Sequence, residues 1–301
     1  MKYFSLIIFF LSSTLIGDFT LADETIHENT EQIDKKADDI KIDDISKYLR
    51  NENAFVMGEH VTYRVHYGFV NAGIITMSVH KDLMNVNNHD CYKIVVKGQT
   101  SGILSKLLNI KEYFCSYLDS KTLLPYIFDR NVIENSYYKY DRTVFLDNTI
   151  KVVEYKNDNE KKKVDKIKEF EKTNKNIDDA ISKWYKYRSI DFSKMPVGTI
   201  VNSPIFFNGK EYDPFYVKFL GKTTIKTDLG SMKVLIFTPK VPFNRNGDKS
   251  VFDGEDSVVL YLSDDENKIP IKIKIKLLVG SVDIDITDYK NTKTPLSIIK
   301  T

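Results

Sequence analysis

The chain lacks the motifs by which most catalytic and metal sites are recognised. Its 301 residues include only five histidines and two cysteines. No two histidines have the spacing of ligands on one helical face, and H-E-x-x-H, C-x-x-C, G-x-S-x-G and glycine-rich phosphate loops are all missing. Glu112 and Asp129 lie on predicted neighbouring strands, but nothing marks them as a glycosidase pair. We therefore predict no catalytic residue, no metal site and no cofactor. The sequence leaves open whether the chain is an enzyme, although the missing motifs favour a protein without catalytic activity.

A charge excess of one sign is missing as well. The net charge is +2, from 44 basic and 42 acidic residues. Such a balance gives no electrostatic reason to expect a nucleic-acid partner. Arginine, the residue best suited to bidentate recognition of phosphate or carboxylate, occurs at few positions.

Cysteine is too scarce for a disulfide framework. Cys91 and Cys115 fall near the outer ends of two predicted neighbouring strands. Export would place them where a disulfide can persist, but a bridge needs a narrow Cα separation that a sequence does not reveal. A bridge and two separate half-buried thiols both stay open.

Residues 1–22 are typical of a secretory signal peptide. Lys2 supplies a short basic region, residues 4–16 are apolar, and Thr20-Leu21-Ala22 offers a cleavage site before Asp23. The alternative is an uncleaved anchor. No later apolar run is long enough for a membrane helix, so no span is expected after cleavage. We predict an exported protein, periplasmic or associated with the outer envelope.

The remaining chain divides into three predicted parts. Residues 23–53 are charged with few apolar positions, which indicates a flexible tether, and Ile42, Ile45 and Leu49 are spaced for a short helix at its end. Residues 54–290 form a single β-rich globular domain, and 291–301 a C-terminal tail.

Alternation of apolar and polar residues predicts an antiparallel β fold. It is clearest in the hairpin over 61–79, where Tyr63, Val65 and Tyr67 alternate with polar residues before Asn71-Ala72-Gly73. The Lys/Glu run at 160–171 is interpreted as a solvated hairpin tip or loop. Strands are predicted at 61–67, 74–80, 91–98, 111–118, 126–134, 138–147, 150–156, 199–207, 214–220, 223–228, 232–239, 256–262, 269–278 and 281–288.

The last predicted hairpin has one charged and one apolar face. Isoleucines at 271, 273 and 275 alternate with lysines, and Val282, Ile284 and Ile286 alternate with aspartates. With the turn at Val279-Gly280, Lys276 should face Asp283 and Lys274 should face Asp285, on a solvated face.

Two segments break the β pattern. Residues 177–188 have an apolar helical face with Trp184 and Tyr185, and Asn176 is positioned to cap that helix. Residues 102–110 are a short helix or apolar loop carrying Ile103, Leu104, Leu107 and Leu108. That segment is either a plug that seals the sheet, or a flap or patch that contacts lipid or a partner.

Several blocks of the sequence resemble an exported bacterial family called domain of unknown function 3108. They are A-F at 54–55, G-E at 58–59, Y-R-V-H-Y-G at 63–68, N-A-G at 71–73, K-E-Y at 111–113, T-L-L-P at 122–125, F-D-R-N at 128–131, D-A-I-S at 179–182, G-K-T-T-I-K-T-D-L-G at 221–230, S-D-D-E-N-K-I-P at 263–270 and L-V-G-S at 278–281. The resemblance implies an exported, largely antiparallel β protein without an established activity, so it transfers no functional residue. The run at 263–275 is also similar in kind to strands of periplasmic lipoprotein-carrier proteins, in which a curved sheet cups an apolar ligand.

These patterns predict a mainly all-β protein: curved antiparallel sheets forming an open barrel or half-barrel, with one or two short helices. The favoured function is a periplasmic binding or envelope-assembly protein that holds an apolar ligand in the curved sheet. Alternatives are a structural envelope protein with a solid core and a partner-binding surface, and a hydrolase without a recognisable motif. Expected partners are a lipid or other apolar ligand and an envelope protein. The candidate ligand-binding residues are Ile103, Leu104, Leu107, Leu108, Trp184 and Tyr185.

Overall fold

The computed structural model describes residues 42–50, 52–158, 161–213, 215–240, 258–277 and 279–299. It contains one α-helix, α1 (Ala180–Arg188), and two 3-10 helices, η1 (Ile45–Tyr48) and η2 (Gly102–Lys106), within these ranges. The strands are β1 (Ile42–Asp44), β2 (His60–Tyr67), β3 (Val70–Val79), β4 (Met84–Val86), β5 (His89–Thr100), β6 (Ile110–Asp119), β7 (Pro125–Glu134), β8 (Tyr137–Phe145), β9 (Thr149–Asp158), β10 (Lys161–Glu171), β11 (Ile200–Asn202), β12 (Ile205–Phe207), β13 (Lys210–Tyr212), β14 (Tyr216–Thr227), β15 (Gly230–Lys240), β16 (Val258–Ser263), β17 (Pro270–Lys276), β18 (Ser281–Lys290) and β19 (Ile298–Ile299).

A single 17-stranded sheet dominates the fold. Its main ladder runs β10-β9-β8-β7-β6-β5-β3-β2-β18-β17-β16-β15-β14-β11-β1, and every pair in it is antiparallel except β1 with β11. The sheet is large and curved, and no ladder among the described residues joins β10 to β1. The predicted all-β class is confirmed.

Helix α1 lies in the interior enclosed by this sheet. All nine of its residues are buried, including three that carry a positive charge. The predicted apolar face does pack inward, but the opposite face is buried too. The surrounding strands leave no side of the helix to solvent.

The helix begins three residues later than the apolar pattern indicates. Asp179, not Asn176, is the N-cap: its Oδ1 accepts from the backbone N–H groups two and three residues later, at 2.7 and 2.8 Å. Ser182 Oγ accepts in return from the Asp179 N–H at 2.8 Å. This reciprocal capping box satisfies N–H groups that the first helical turn leaves without partners, and so sets the helix start.

The backbone pairing corrects three predictions of secondary structure, one of a loop and two of strands. The Lys/Glu run is not a loop but strand β10, which pairs along its length with β9, and its residues 163–169 are exposed. The predicted strand at 199–207 is two strands, β11 and β12. The predicted strands at 214–220 and 223–228 are one, β14, which continues through a bulge between Phe219 and Gly221.

The last hairpin has the predicted faces but not the predicted register. Lys274 lies opposite Asp283, and Lys272 lies opposite Asp285. The turn is longer than the sequence suggests, with Gly280 at φ 73° and a bond from the Leu277 N–H to the Gly280 carbonyl at 3.1 Å. The charged face is also drier than expected, because Asp283 is buried.

The ends of the described chain contribute to the fold. Within the predicted tether, β1 pairs with β11, and the predicted short helix is present after it as the 3-10 helix η1. Within the predicted tail, Leu296 is buried and β19 pairs with β15. The predicted signal peptide and its cleavage site lie outside the described residues.

Both cysteines are buried free thiols. Cys91 lies opposite Asp119, whereas Cys115 lies opposite Val95, so the two residues are out of step along β5 and β6. Burial raises the pKa of each thiol to about 11. Of the two alternatives that the sequence leaves open, the structure has two separate thiols.

Candidate functional site

The six candidate ligand-binding residues occupy two environments. Trp184 and Tyr185 lie on α1 inside the sheet and are buried. The other four lie on η2 and the residues after it, in the connection between β5 and β6 at one end of the sheet. The six residues therefore form two separate candidate sites.

The interior next to Trp184 is closely packed. A cavity of about 10 Å³ lies there. That volume is about what one water molecule requires, whereas ligand pockets usually measure about 300–1,000 Å³. The side chains around it are apolar or aromatic: Trp184, Tyr187, Ile190, Phe192, Met195, Val201, Val217, Phe219, Phe237, Leu260 and Leu262.

The η2 segment has one face toward the core and one toward solvent. Leu104 packs against the core, and Leu108 is half-buried, with its carbonyl accepting from Thr100 Oγ1 at 2.8 Å. Ile103 and Leu107 point away and are 74% and 72% exposed. The segment therefore has both a core-facing and an exposed apolar part, and its role as a plug, a flap or a patch stays a prediction.

Apolar residues of two neighbouring hairpin turns extend this exposed patch. In the β2–β3 turn, Phe69 is fully exposed, and in the β17–β18 turn Val279 is 76% exposed. Tyr67 Oη donates to the Val279 carbonyl at 2.8 Å, which joins the two turns. The Ser101 N–H donates to the Ala72 carbonyl at 3.1 Å, which holds η2 against β3. We define the tip surface as Tyr67, Phe69, Val70, Ile103, Leu107 and Val279.

A second candidate is a cluster of polar side chains on the inner face of β6, β7 and β8. Arg130 Nε and Nη2 donate to Asp141 Oδ2 at 2.9 and 2.6 Å, and Nη2 also donates to Asn208 Oδ1 at 2.8 Å. Lys139 Nζ donates to the same amide oxygen at 3.0 Å. The Arg130 guanidinium lies 5.1 Å above the Phe207 ring.

Glu112 lies on the same inner face and differs from the other carboxylates. It is 3% exposed, and neither carboxyl oxygen has a hydrogen-bond partner. Burial, with a smaller effect from Glu134, raises its pKa well above the usual range, although Arg130 acts in the opposite direction. A buried carboxyl of this kind holds its proton and is chemically suited to proton donation. Nothing in the sequence distinguishes it from Asp129, which is also buried but accepts from Arg142 Nε and Nη2 at 2.7 and 2.8 Å.

A separate cluster of buried polar side chains anchors α1, and the sequence analysis did not identify it. Lys183 Nζ donates to Asp178 Oδ2 at 2.7 Å and to Ser203 Oγ at 2.7 Å, and Lys186 Nζ donates to Asp178 Oδ1 at 2.6 Å. Although burial acts to raise it, these two ammonium groups hold the pKa of Asp178 below its usual value. Burial lowers the pKa of Lys183 to about 8. All these groups are enclosed, so they position the helix.

Neither of two further site types is present in the part of the chain that the structure describes. There, no group of three or more His, Cys, Asp and Glu side chains is arranged to hold a metal ion. Across the same ranges, no helix combines the length and the apolar character that a membrane crossing requires.

Comparison with known proteins gives a family and distant structural neighbours. The family model described as "Protein of unknown function (DUF3108)" matches residues 62–287. No curated protein matches the chain. A beta-barrel-like protein of domain of unknown function DUF1849 from Brucella abortus is 7% identical, with a TM-score of 0.46 over 79% of this chain and 99% of that one.

Two other solved structures are more distant. A Bacteroides fragilis protein, provisionally described as exported and with a YmcC-like fold, is 8% identical, with a TM-score of 0.30 over 81% of this chain and 98% of that one. A Parabacteroides distasonis protein, provisionally described as a lipoprotein, is 8% identical, with a TM-score of 0.28 over 80% and 100%. At these TM-scores the likeness carries no further argument about this chain.

Proposed function

We propose that this chain, which belongs to the DUF3108 family of proteins of unknown function, is an exported envelope protein. In this proposal the protein has a solid core and acts through its surface. Export is supported by the signal-peptide pattern of residues 1–22. The observation that carries the proposal is the filled interior beside Trp184, where the cavity of about 10 Å³ is far too small for a lipid.

Storage of an apolar ligand inside the sheet receives less support from this geometry. The side chains around the cavity have the apolar character that such a ligand needs. However, Trp184, Phe192 and Phe219 would have to move apart by several ångströms to admit an acyl chain, which close-packed interiors resist. The apolar groups that remain available lie on the outside.

A hydrolase is supported only by the perturbed carboxyl of Glu112. A general acid must come within about 3 Å of the group that it protonates. At 3% exposure, Glu112 has no such access to a substrate from solvent. The tip surface, by contrast, presents apolar side chains that no described part of the chain covers, and exposed apolar patches mark interaction sites.

The proposal is tested by native mass spectrometry of the protein purified from the cell envelope. We expect the mass of a chain that begins at Asp23, with no bound lipid or other apolar molecule. A stoichiometric apolar ligand that remains bound after Phe69→Ser and Val279→Ser would place binding in the interior and contradict the proposal. A mass that begins at Met1 would contradict signal cleavage.

A further inference from the structure

Among the residues that the structure describes, the most exposed large apolar side chains gather at one end of the sheet. Phe69, Val279, Ile103 and Leu107 are 102%, 76%, 74% and 72% exposed. The next most exposed large apolar side chain of the described chain is Val197, at 69%. The four belong to three different connections, which the contacts of Tyr67 and Ser101 hold side by side. Burying apolar area is favourable, so this concentration indicates something that covers it.

The three connections also share a charge pattern. Residues 67–73, 100–111 and 276–282 contain no aspartate or glutamate. They contain Lys106, Lys111 and Lys276, all exposed, and none of the three forms an ion pair with another described residue. The three connections therefore carry apolar and basic side chains and no acidic ones of their own, in a chain whose overall charge is nearly balanced.

We propose that the tip surface docks onto an anionic lipid membrane. This inference rests on the proposed function and specifies the partner of the proposed surface. Phe69, Ile103 and Val279 would enter the boundary between headgroups and acyl chains, and the lysines would lie among anionic headgroups. Interfacial membrane binding depends on this combination of buried apolar area and attraction to anionic lipid.

The shape of the tip surface favours a membrane over a protein partner. A standard protein interface buries about 800 Å² on each side, in close complementarity with its partner. The tip surface consists of three separate connections that carry one to three of its side chains each, with Phe69 fully exposed at the end of its hairpin. A fluid membrane accommodates such protrusions without a matching pocket.

The test is sedimentation of the protein purified from the envelope with two kinds of vesicle, pure phosphatidylcholine and phosphatidylcholine with phosphatidylglycerol. We expect binding to the anionic vesicles that weakens as salt is raised. The double variant Phe69→Ser with Val279→Ser should bind at least about tenfold more weakly, because it removes apolar area from the interface. Lys106→Glu with Lys276→Glu should remove most of the dependence on anionic lipid.

The matched control is Val197→Ser, which removes an exposed valine from a different connection. It should leave vesicle binding unchanged, and all variants should keep the melting temperature of the parent protein. Failure of the parent protein to bind anionic vesicles at low salt, or an equal loss in the Val197→Ser variant, would overturn the lipid assignment.

Failure of the lipid assignment can be told apart from failure of the proposed function. One outcome is that neither the parent protein nor any variant binds vesicles, while the tip variants lose a cross-link to an envelope protein. That outcome would support the proposed surface function with a protein partner and would contradict the lipid inference. If native mass spectrometry finds an interior ligand, the proposed function falls instead.

Discussion

Arg188 on α1 and Glu59 just before β2 form a buried bidentate ion pair. Nη1 donates to Oε1 at 2.6 Å and Nη2 to Oε2 at 2.7 Å, and the two side chains are 2% and 1% exposed. The remaining guanidinium donors reach the Asn267 carbonyl at 3.0 Å and the Ala54 carbonyl at 3.2 Å. One side chain at the end of the helix therefore ties three separate segments together.

Removing one partner of this pair should be costly. In the Glu59→Gln variant the guanidinium stays buried without a compensating charge, so the free energy of unfolding should fall by about 3–5 kcal/mol. The control is Lys168→Gln, which breaks the 2.8 Å pair with Glu154 on an exposed strand and should cost under about 1 kcal/mol. Urea titrations compare the two, and similar losses would contradict the buried role of Arg188.

The buried carboxyl of Glu112 predicts a pH-dependent stability. Because burial raises its pKa in the folded state, the protonated form favours folding. Its contribution is fully present below the usual pKa of a carboxyl and is lost as the pH rises through the folded-state value. Glu112→Gln keeps the shape without ionising, so the variant should gain stability relative to the parent protein between pH 4 and pH 8.

The sign of this effect is checked with a carboxylate whose pKa shifts the other way. A hydrogen bond from Lys168 lowers the pKa of Glu154. Glu154→Gln should therefore lose stability relative to the parent as the pH rises toward the ordinary carboxyl pKa of 4.5, and the difference should stay level above it. The loss should be small because the pair is partly exposed. Parallel pH dependences of the two variants would show that Glu112 is not held protonated.

The alternation in β17 predicts unequal costs for two adjacent residues. Ile273 is buried against the core, whereas Lys274 lies on the charged face. Ile273→Ala should lower the free energy of unfolding by about 2–5 kcal/mol, and Lys274→Ala by less than about 0.5 kcal/mol. Denaturant titration measures both, and equal values would mean that the faces of the strand are reversed.

The fluorescence of Trp184 should report a dry environment. It is the only tryptophan of the chain and is 6% exposed. The folded protein should emit at a shorter wavelength than the urea-unfolded chain, and acrylamide should quench it poorly until unfolding. Emission like that of a free indole in the folded state would rule out the interior position of α1.

Both cysteines should be unreactive until the protein unfolds. Cys91 and Cys115 are 0% and 1% exposed, and their raised pKa leaves little thiolate at neutral pH. Iodoacetamide without a reductant should leave the native protein unlabelled and add two groups in urea, as seen by intact mass. A mass without any addition in urea would indicate a disulfide.

The sequence determined the fold class and the buried faces of most strands. Ile271, Ile273 and Ile275 are buried as their alternation predicts, because side chains of a strand point to opposite sides and only one side meets the core. The register of that hairpin was not determined. Moving the pairing by two residues leaves every side chain on the same face, so the alternation fits Lys276 or Lys274 opposite Asp283 equally well. The length of the turn that ends at Gly280 determines which of these two registers forms.

The character of the candidate sites was decided by tertiary structure. The sequence predicts only the apolar face of helix α1, whereas in the folded protein Lys183, Lys186 and Arg188 are buried as well. Glu112 and Asp129 are equivalent in the sequence, yet Arg142 donates to the carboxylate of Asp129 whereas the buried carboxyl of Glu112 has no hydrogen-bond partner, and burial raises the pKa of Glu112. Phe69 and Val279 lie far apart along the chain, and their common surface exists because antiparallel pairing brings their turns to one end of the sheet. Local periodicity determines which side of an element is apolar, whereas only the assembled strands determine what that side meets.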